Sequence, residues 1–446
     1  MPKLKKIYVC ESCGYRSLQW LGRCPECQAW NSFQEDVVSS PNKASKQSLL
    51  EVREGTEAKI TSLENIESLD SPRIISGITE FDRVLGGGFV KGSVTLIGGE
   101  PGIGKSTIML QLADSLAKVT KIIYISAEEN PQQIQLRAKR LNIHTNSILI
   151  YPEPALDIAL GKIKDLQTES LLVIVDSIQT IYTAEVEGLA GTISQVKESS
   201  AKIVNFAKSM QIPVIIIGHV TKEGGLAGPK LLEHLVDTVV YLEGDRYSDL
   251  RIMRAVKNRF GPVNEIGMFE MTGDGLIEVN DPFKILVNKS GNMPGTIDSI
   301  VLEGMRLMPV EIQSLVTKSY IPIPRRTAQG LDLNRLQLII AVLTKRLKIP
   351  LYEQDIFVNI VGGVSIKETS IDLAVAMAIL SSYYETVIPA SCIAYGEVGL
   401  LGEIRPATKE KLRKAEALQR GYQKIISYET YKDLKILAKD LFPKSH

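Results

Sequence analysis

The sequence predicts an α/β protein whose central portion is a mostly parallel sheet, preceded by a small cysteine-bearing module and followed by a further domain. Three observations predict this class. Four short apolar runs, "SVTLIGG", "KIIYIS", "SLLVIVDS" and "IPVIIIGH", read as strands buried on both faces, with helical patterns between them. Four of the five cysteines fall within the first 27 residues. From about residue 281 the pattern of alternating strand and helix signals resets, which marks a further domain.

Length and charge set the frame. A chain of 446 residues is too long for one hydrophobic core, so several domains are expected. The composition is that of a globular protein, 44% hydrophobic and 23% charged. With a formal net charge of only +1, a polyanion would have to be met by local patches. No apolar run approaches the ~18 residues of a membrane span, so no membrane role is expected. "MPKLKKIYVCESC" has lysines but no apolar stretch after them; no signal peptide is read, and the cytoplasm is the expected location.

The first element is the module at residues 1–33. "CESCGYRSLQWLGRCPEC" is C-x2-C, ten residues, then C-x2-C. Each pair lets two thiolates converge from a tight turn, and two pairs complete a tetrahedron. Cys10, Cys13, Cys24 and Cys27 are therefore expected to hold one structural Zn2+. The competing readings are buried thiols or a redox pair, and the second lacks a βαβ context. Cys392 reads as a small core residue. Residues 34–70 are polar and weakly periodic, and a mobile linker is expected there.

Residues 71–280 form the next expected domain. "GSVTLIGGEPGIGKSTIMLQLADSLAK" is a strand, a glycine-rich loop and a helix, and it fits G-x4-G-K-[ST]. Gly99, Glu100, Pro101, Gly102, Ile103 and Gly104 would wrap the phosphates of ATP with backbone N–H groups. Lys105 would reach the β and γ oxygens, and Ser106, followed by Thr107, would ligate Mg2+. Asp176 ends a buried strand and is placed to hold the Mg2+ shell through water. Glu128 and Glu129 end another strand, and one of them would polarise the attacking water. Glu128 is preferred, the other serving as a helix-start charge. His219 ends the fourth strand and is either a γ-phosphate sensor or an ordinary loop histidine.

"SGITEFDRVLGGGFVKGSVTLIGGEPGIGKST", "LLVIVDSIQT", "IGHVTKEGGLAGPKLLEHLVDTVVYLEGD" and "KNRFG" together resemble the bacterial RadA (Sms) family of RecA-like recombination and repair ATPases. The likeness extends to the four-cysteine start and the C-terminal portion, and "KNRFG" with the cysteine spacing is its most specific part. The resemblance implies ATP held between neighbouring subunits of a ring, expected to be a homo-hexamer. It further implies single-stranded and branched DNA as largely sequence-independent partners, and the recombinase RecA as a protein partner. Lys257 and Arg259 in "RAVKNRFGPV" are then expected at a subunit edge, facing the neighbour's phosphates or DNA. Segments 181–194 and 221–230 occupy the positions of the two RecA-like DNA loops. Lys222, Lys230 and Arg246 are phosphate candidates, whereas Glu185 and Glu187 weaken the case for the first loop.

Residues 281–446 resemble the proteolytic domain of Lon, which implies an α+β domain. Setting "IKETSIDLAVAMA" against Lon's nucleophile segment puts Ile371 at the serine position, and isoleucine cannot attack a carbonyl. Ser370 is adjacent, but neighbouring helical positions point about 100° apart. Lys411 is a candidate for the lysine position. The basic clusters Arg325-Arg326, Lys345-Arg346-Lys348 and Lys409 to Lys414 are candidate DNA contacts or solvated faces. The resemblance thus implies a DNA-dependent ATPase of homologous recombination that moves along DNA and promotes branch migration, with a proteolytically inactive tail. The alternatives are an ATP-dependent protease, a non-translocating recruiter whose assembly is set by ATP, or an ATPase acting on RNA.

Overall fold

The computed structural model describes residues 4–10, 16–25, 28–39, 73–144, 146–166, 171–219, 232–244, 249–263, 265–281, 293–362 and 365–442. The chain divides into two compact units, residues 1–243 with 252–278, and residues 244–251 with 279–446.

The N-terminal module is a three-stranded antiparallel sheet in which β1 (Leu4–Cys10) lies between β2 (Arg16–Ser17) and β3 (Phe33–Ser39). Strand β3 corrects one expectation. The polar linker was to begin at residue 34, yet pairing with β1 continues from Phe33 to Ser39. Ladder hydrogen bonds and the β-branched pair Val37-Val38 outweigh the polar composition there.

The core of the first unit is a nine-stranded sheet ordered β12-β11-β10-β9-β4-β8-β7-β5-β6. Its strands are β4 (Val94–Gly99), β5 (Lys121–Ser126), β6 (Ile148–Tyr151), β7 (Leu171–Asp176), β8 (Val214–His219) and β9 (Thr238–Glu243), all parallel. An antiparallel edge of β10 (Leu250–Asn258), β11 (Ile266–Thr272) and β12 (Gly275–Glu278) continues it. Alternation along each strand supplies two core layers. Ile122 and Tyr124 of β5 enter the layer shared with α1 (Thr79–Leu85), α2 (Lys105–Leu116) and α3 (Pro131–Arg140). Ile123 and Ile125 enter the layer shared with α4 (Leu156–Asp165) and α5 (Ile193–Met210). Both faces being covered, the strands read as unbroken apolar runs.

The second unit is α+β. Its six-stranded sheet runs β15-β16-β14-β13-β17-β20, where β13 is Thr296–Glu303, β14 Arg306–Lys318, β15 Arg326–Gln329, β16 Gln354–Ile360, β17 Cys392–Ala394 and β20 Lys424–Ile426. A ribbon of β18 (Glu397–Val398) and β19 (Ile404–Arg405) is separate. Helices α6 (Leu333–Leu347), α7 (Asp372–Tyr383), α8 (Glu410–Gln419) and α9 (Leu434–Leu441) accompany them. All of Asp372 to Ser381 is buried, because α7 packs against β13, β14 and α6, and its one charged residue, Asp372, pairs with Arg335. Among the described residues no helix is long and apolar enough to cross a membrane.

Candidate nucleotide-binding site and the KNRFG segment

The glycine-rich loop leaves β4 at Gly99 and enters α2 at Lys105. Gly104 caps that helix with φ 114°, a left-handed conformation suited to glycine, and a Cβ there would lie 2.6 Å from Met271 Cε. Lys105 Nζ donates to the carbonyls of Gly99 and Glu100, 2.9 Å each. Burial pushes this ammonium down to about 8, against the pull of Asp176 and Glu128. The cation is thus held by loop carbonyls in a site with carboxylates at hand, poised to accept phosphate oxygens.

Asp176, at the end of β7, is buried and accepts hydrogen bonds from Tyr124 Oη, at 2.5 Å, and from Ser106. Burial raises its carboxyl above the ordinary value, and those two bonds oppose the rise. Ser106 and Asp176 are therefore brought together, a fitting pair for Mg2+. Tyr124 was not foreseen. Its signal was available, because a tyrosine inside a buried strand must find a partner for its hydroxyl.

The two adjacent glutamates have different partners. Glu129 is clamped bidentately by Arg137 of α3, at 2.5 and 2.6 Å. Glu128 Oε2 lies 3.0 Å from His219 Nε2, while His219 Nδ1 is buried and makes no hydrogen bond among the described residues. His219 is thus neither a simple loop residue nor aimed at the loop alone. It joins the end of β8 to the end of β5.

The KNRFG segment has partners within its own chain. Within the chain both cations are already engaged. Lys257 Nζ donates to the carbonyls of Glu233, 2.5 Å, and Val236, 2.7 Å, and burial with Arg259 nearby lowers its pKa. Arg259 Nη1 donates to Asp237 Oδ1 at 3.0 Å, although half of its side chain remains exposed. Asp237 in turn accepts from Val94 N, at the start of β4. Asn258 Nδ2 donates to Leu85 O at the end of α1. The segment therefore ties the start of β4 and β9 to α1. Register puts Asn258 level with Thr238 and Thr95, four residues or about 13 Å back along β4 from Gly99. The chain's own phosphate loop is at the other end of the strands.

Of the expected DNA loops, 181–194 is described. Glu185 is ion-paired at 2.8 Å to Lys202, which it shares with Asp157, so the loop keeps its acidic character. Lys222, Lys230 and Arg246 lie outside the described residues.

Comparison with known proteins follows the same outline. The ATPase family described as KaiC matches residues 74–149, and the family described as "Rubredoxin metal binding domain" matches residues 8–35. The chain is 43% identical over 446 residues to the DNA repair protein RadA of Aquifex aeolicus, covering 100% of this chain and 98% of that protein. It is 43% identical over 427 residues to the DNA repair protein RadA of Pseudomonas aeruginosa, covering 96% and 93%. The chain belongs to the RadA family of DNA repair proteins. Among solved structures, that of RadB recombinase is similar at 24% identity, covering 46% of this chain and 100% of that one, with a TM-score of 0.38. The core of this RadA-family chain is a RecA-like ATPase domain.

Two further sites complete the RadA-family chain. In its N-terminal module, Cys10 and Cys24 are buried in one small cluster with Phe33, and Cys10 Sγ lies 3.2 Å from Ser32 Oγ. Two thiols enclosed together, with a hydroxyl in reach of one sulfur, suit a metal centre. Cys13 and Cys27 lie outside the described residues. In the second unit, Ile371 is fully buried, and Ser370 is buried with an Oγ that makes no hydrogen bond among the described residues. Lys411 is exposed on α8, so it is not the desolvated base the Lon alignment suggested. The fully buried cation of α8 is Arg413, whose guanidinium donates to Ile300 O, Thr408 O and Glu368. Ser370 Oγ and Lys411 are thus not hydrogen-bonded to one another. The basic clusters are partly structural as well. Arg326 donates to the carbonyls of Gln354 and Leu351, Arg346 to Leu400 O, and Lys414 pairs with Glu429.

Proposed function

We propose that this chain is a DNA-dependent ATPase of homologous recombination and repair that works as a homo-hexameric ring on single-stranded and branched DNA and promotes branch migration. Residues 99–107 bind the triphosphate of ATP. Lys105 neutralises it, Ser106 and Asp176 hold Mg2+, and Glu128 orients the attacking water. When bound, Mg2+ supplies charge neutralisation on the phosphate oxygens. Cys10, Cys13, Cys24 and Cys27 hold a structural Zn2+. The Lon-like unit, residues 281–446, serves as a ring-forming scaffold without proteolysis.

One observation carries the reading of subunits acting on each other. Lys257 and Arg259 sit at the opposite end of the sheet from their own phosphate loop, so any ATP they serve belongs to another copy. Their contacts with Glu233, Val236 and Asp237 also tie them to the stretch just after the proposed DNA loop at 221–230. That arrangement suits coupling between nucleotide and DNA, with Lys222, Lys230, Arg246, Lys257 and Arg259 as the contacts to phosphate.

The test is ATP turnover with and without single-stranded DNA across a salt series, beside a branched-DNA extension assay. The proposal expects stimulation that weakens with salt, and its loss in Lys257→Ala and Arg259→Ala with the fold intact. Turnover indifferent to DNA would favour the recruiter. Unchanged behaviour of both variants would remove the segment from the mechanism.

A further inference from the structure

The chain contains two tryptophans, and both lie in the N-terminal module. Large aromatic rings are normally well buried. Here Trp20 is 52% exposed and Trp30 71%, and Leu18, two residues before Trp20, is 76% exposed. Both indoles lie close to one bridge. Arg23 and Trp30 face each other across an antiparallel bridge, and Asn31 N donates to Gly22 O at 2.9 Å. The Trp20 ring lies over Gly22, where a Cβ would be 3.7 Å from it. Arg23 Cζ is 5.6 Å from the Trp30 ring centroid, and Gln28 fixes the guanidinium, with Nη2 2.6 Å from Oε1 and Nε 3.3 Å from the carbonyl. The result is two open ring faces and a positioned cation.

We propose that this face stacks the unpaired bases of a single-stranded nucleic acid, with Trp20 and Trp30 as platforms and Arg23 meeting the adjoining phosphate. Area argues for so small a ligand. At ~250 Å² for a whole indole, the three side chains offer about 400 Å², half of the ~800 Å² per partner of a stable protein interface. Two base faces need no more. Charge agrees, since residues 1–33 carry five lysines and arginines against two glutamates, and Zn2+ on four thiolates would still leave the module cationic. Stacking is also what the proposed ATPase loops lack, for segments 181–194 and 221–230 hold one aromatic residue between them, Tyr182. A sequence-tolerant single-strand site combines rings with cations, and this module has both. The inference stands apart from the proposed motor cycle, because it concerns a surface that need not respond to ATP.

Tryptophan emission of the full zinc-loaded chain reads this face alone. Oligo-dT, oligo-rU and a duplex would be titrated in turn, while the anisotropy of a labelled strand follows total binding. The expected result is quenching by a single strand and none by duplex. Quenching by both oligonucleotides would identify the base as the recognised group, and quenching by one would add a sugar preference. Trp20→Ala or Trp30→Ala should weaken the quenching interaction about tenfold, whereas the phenylalanine variants should stay within about twofold. Zinc content and ATP turnover without DNA should not change, since both side chains are exposed. Strand binding by anisotropy with unaltered emission would overturn the site yet leave DNA dependence of the ATPase standing. Equal quenching by duplex, no strand binding at all, or emission that tracks protein concentration alone would overturn it too, the last assigning the face to contact between copies.

Discussion

Lys105 of the core and Arg413 of the second unit are both buried cations bonded to backbone carbonyls, and they have opposite consequences. Lys105 donates to the carbonyls of its own loop, Gly99 and Glu100, and burial weakens its proton affinity. Arg413 has a carboxylate, Glu368, besides the carbonyls of Ile300 and Thr408. A buried cation without a fixed anion keeps an unmet demand for negative charge, which is what a phosphate site needs. A buried cation that owns its anion is a structural strut. The same distinction separates Glu128, whose partner is His219, from Glu129, clamped by Arg137.

Breaking the first cation should have the largest effect. Lys105→Ala is expected to reduce ATP turnover by roughly 10³-fold or more, in line with loss of a positioned charge at a transition state, with circular dichroism unchanged. Turnover that persists would place the phosphate site elsewhere. The glutamate pair comes next. Glu128→Gln should lower kcat by roughly 10²-fold or more with nucleotide binding retained, whereas Glu129→Gln should act mainly on stability. A reversal of the two would exchange their roles.

Arg413→Ala should instead cost roughly 3 kcal/mol in denaturant unfolding of the second unit, by removing the cation that pairs with Glu368, while ATP affinity stays put. An unshifted midpoint would mean that the strut is dispensable. The smallest effect is on pH. The Lys105 ammonium in the nucleotide-free protein titrates at about 8, below its ordinary 10.5, and a bound triphosphate favours its charged form. Binding therefore takes up a proton above pH 8, so ATP affinity should fall by up to about tenfold per pH unit there. Calorimetry in buffers of different ionisation enthalpy would show this uptake, and Lys105→Ala should abolish it. The depressed value has a second consequence. Between about pH 8 and 10.5 the unfolded chain binds more protons at this lysine, so its contribution to stability rises with pH.

Much of this was legible in the chain itself. The four apolar runs gave four of the six parallel strands, since burial on both faces leaves an unbroken apolar signature. The phosphate loop was legible because its chemistry is local, with glycines, lysine and serine within eight residues. The choice between Glu128 and Glu129 was not. The residues are adjacent, and what distinguishes them is Arg137 on the next helix and His219, 91 residues away. The KNRFG cations looked like a solvated turn or a reach toward another molecule. The carbonyl partners of Lys257, at 233 and 236, precede it by 24 and 21 residues. Ser370 and Lys411 were near each other only in an alignment, and the fold buried one without a base and left the other on the surface.

The sequence by itself determined the layers, the loop that meets phosphate and the cysteine spacing, because alternation, glycine geometry and short ligand intervals act within a few residues. Only the tertiary structure decided which charge is held by which partner. The energy of a charge depends on the groups that surround it in space, and a folded chain draws those from strands and helices far apart in order.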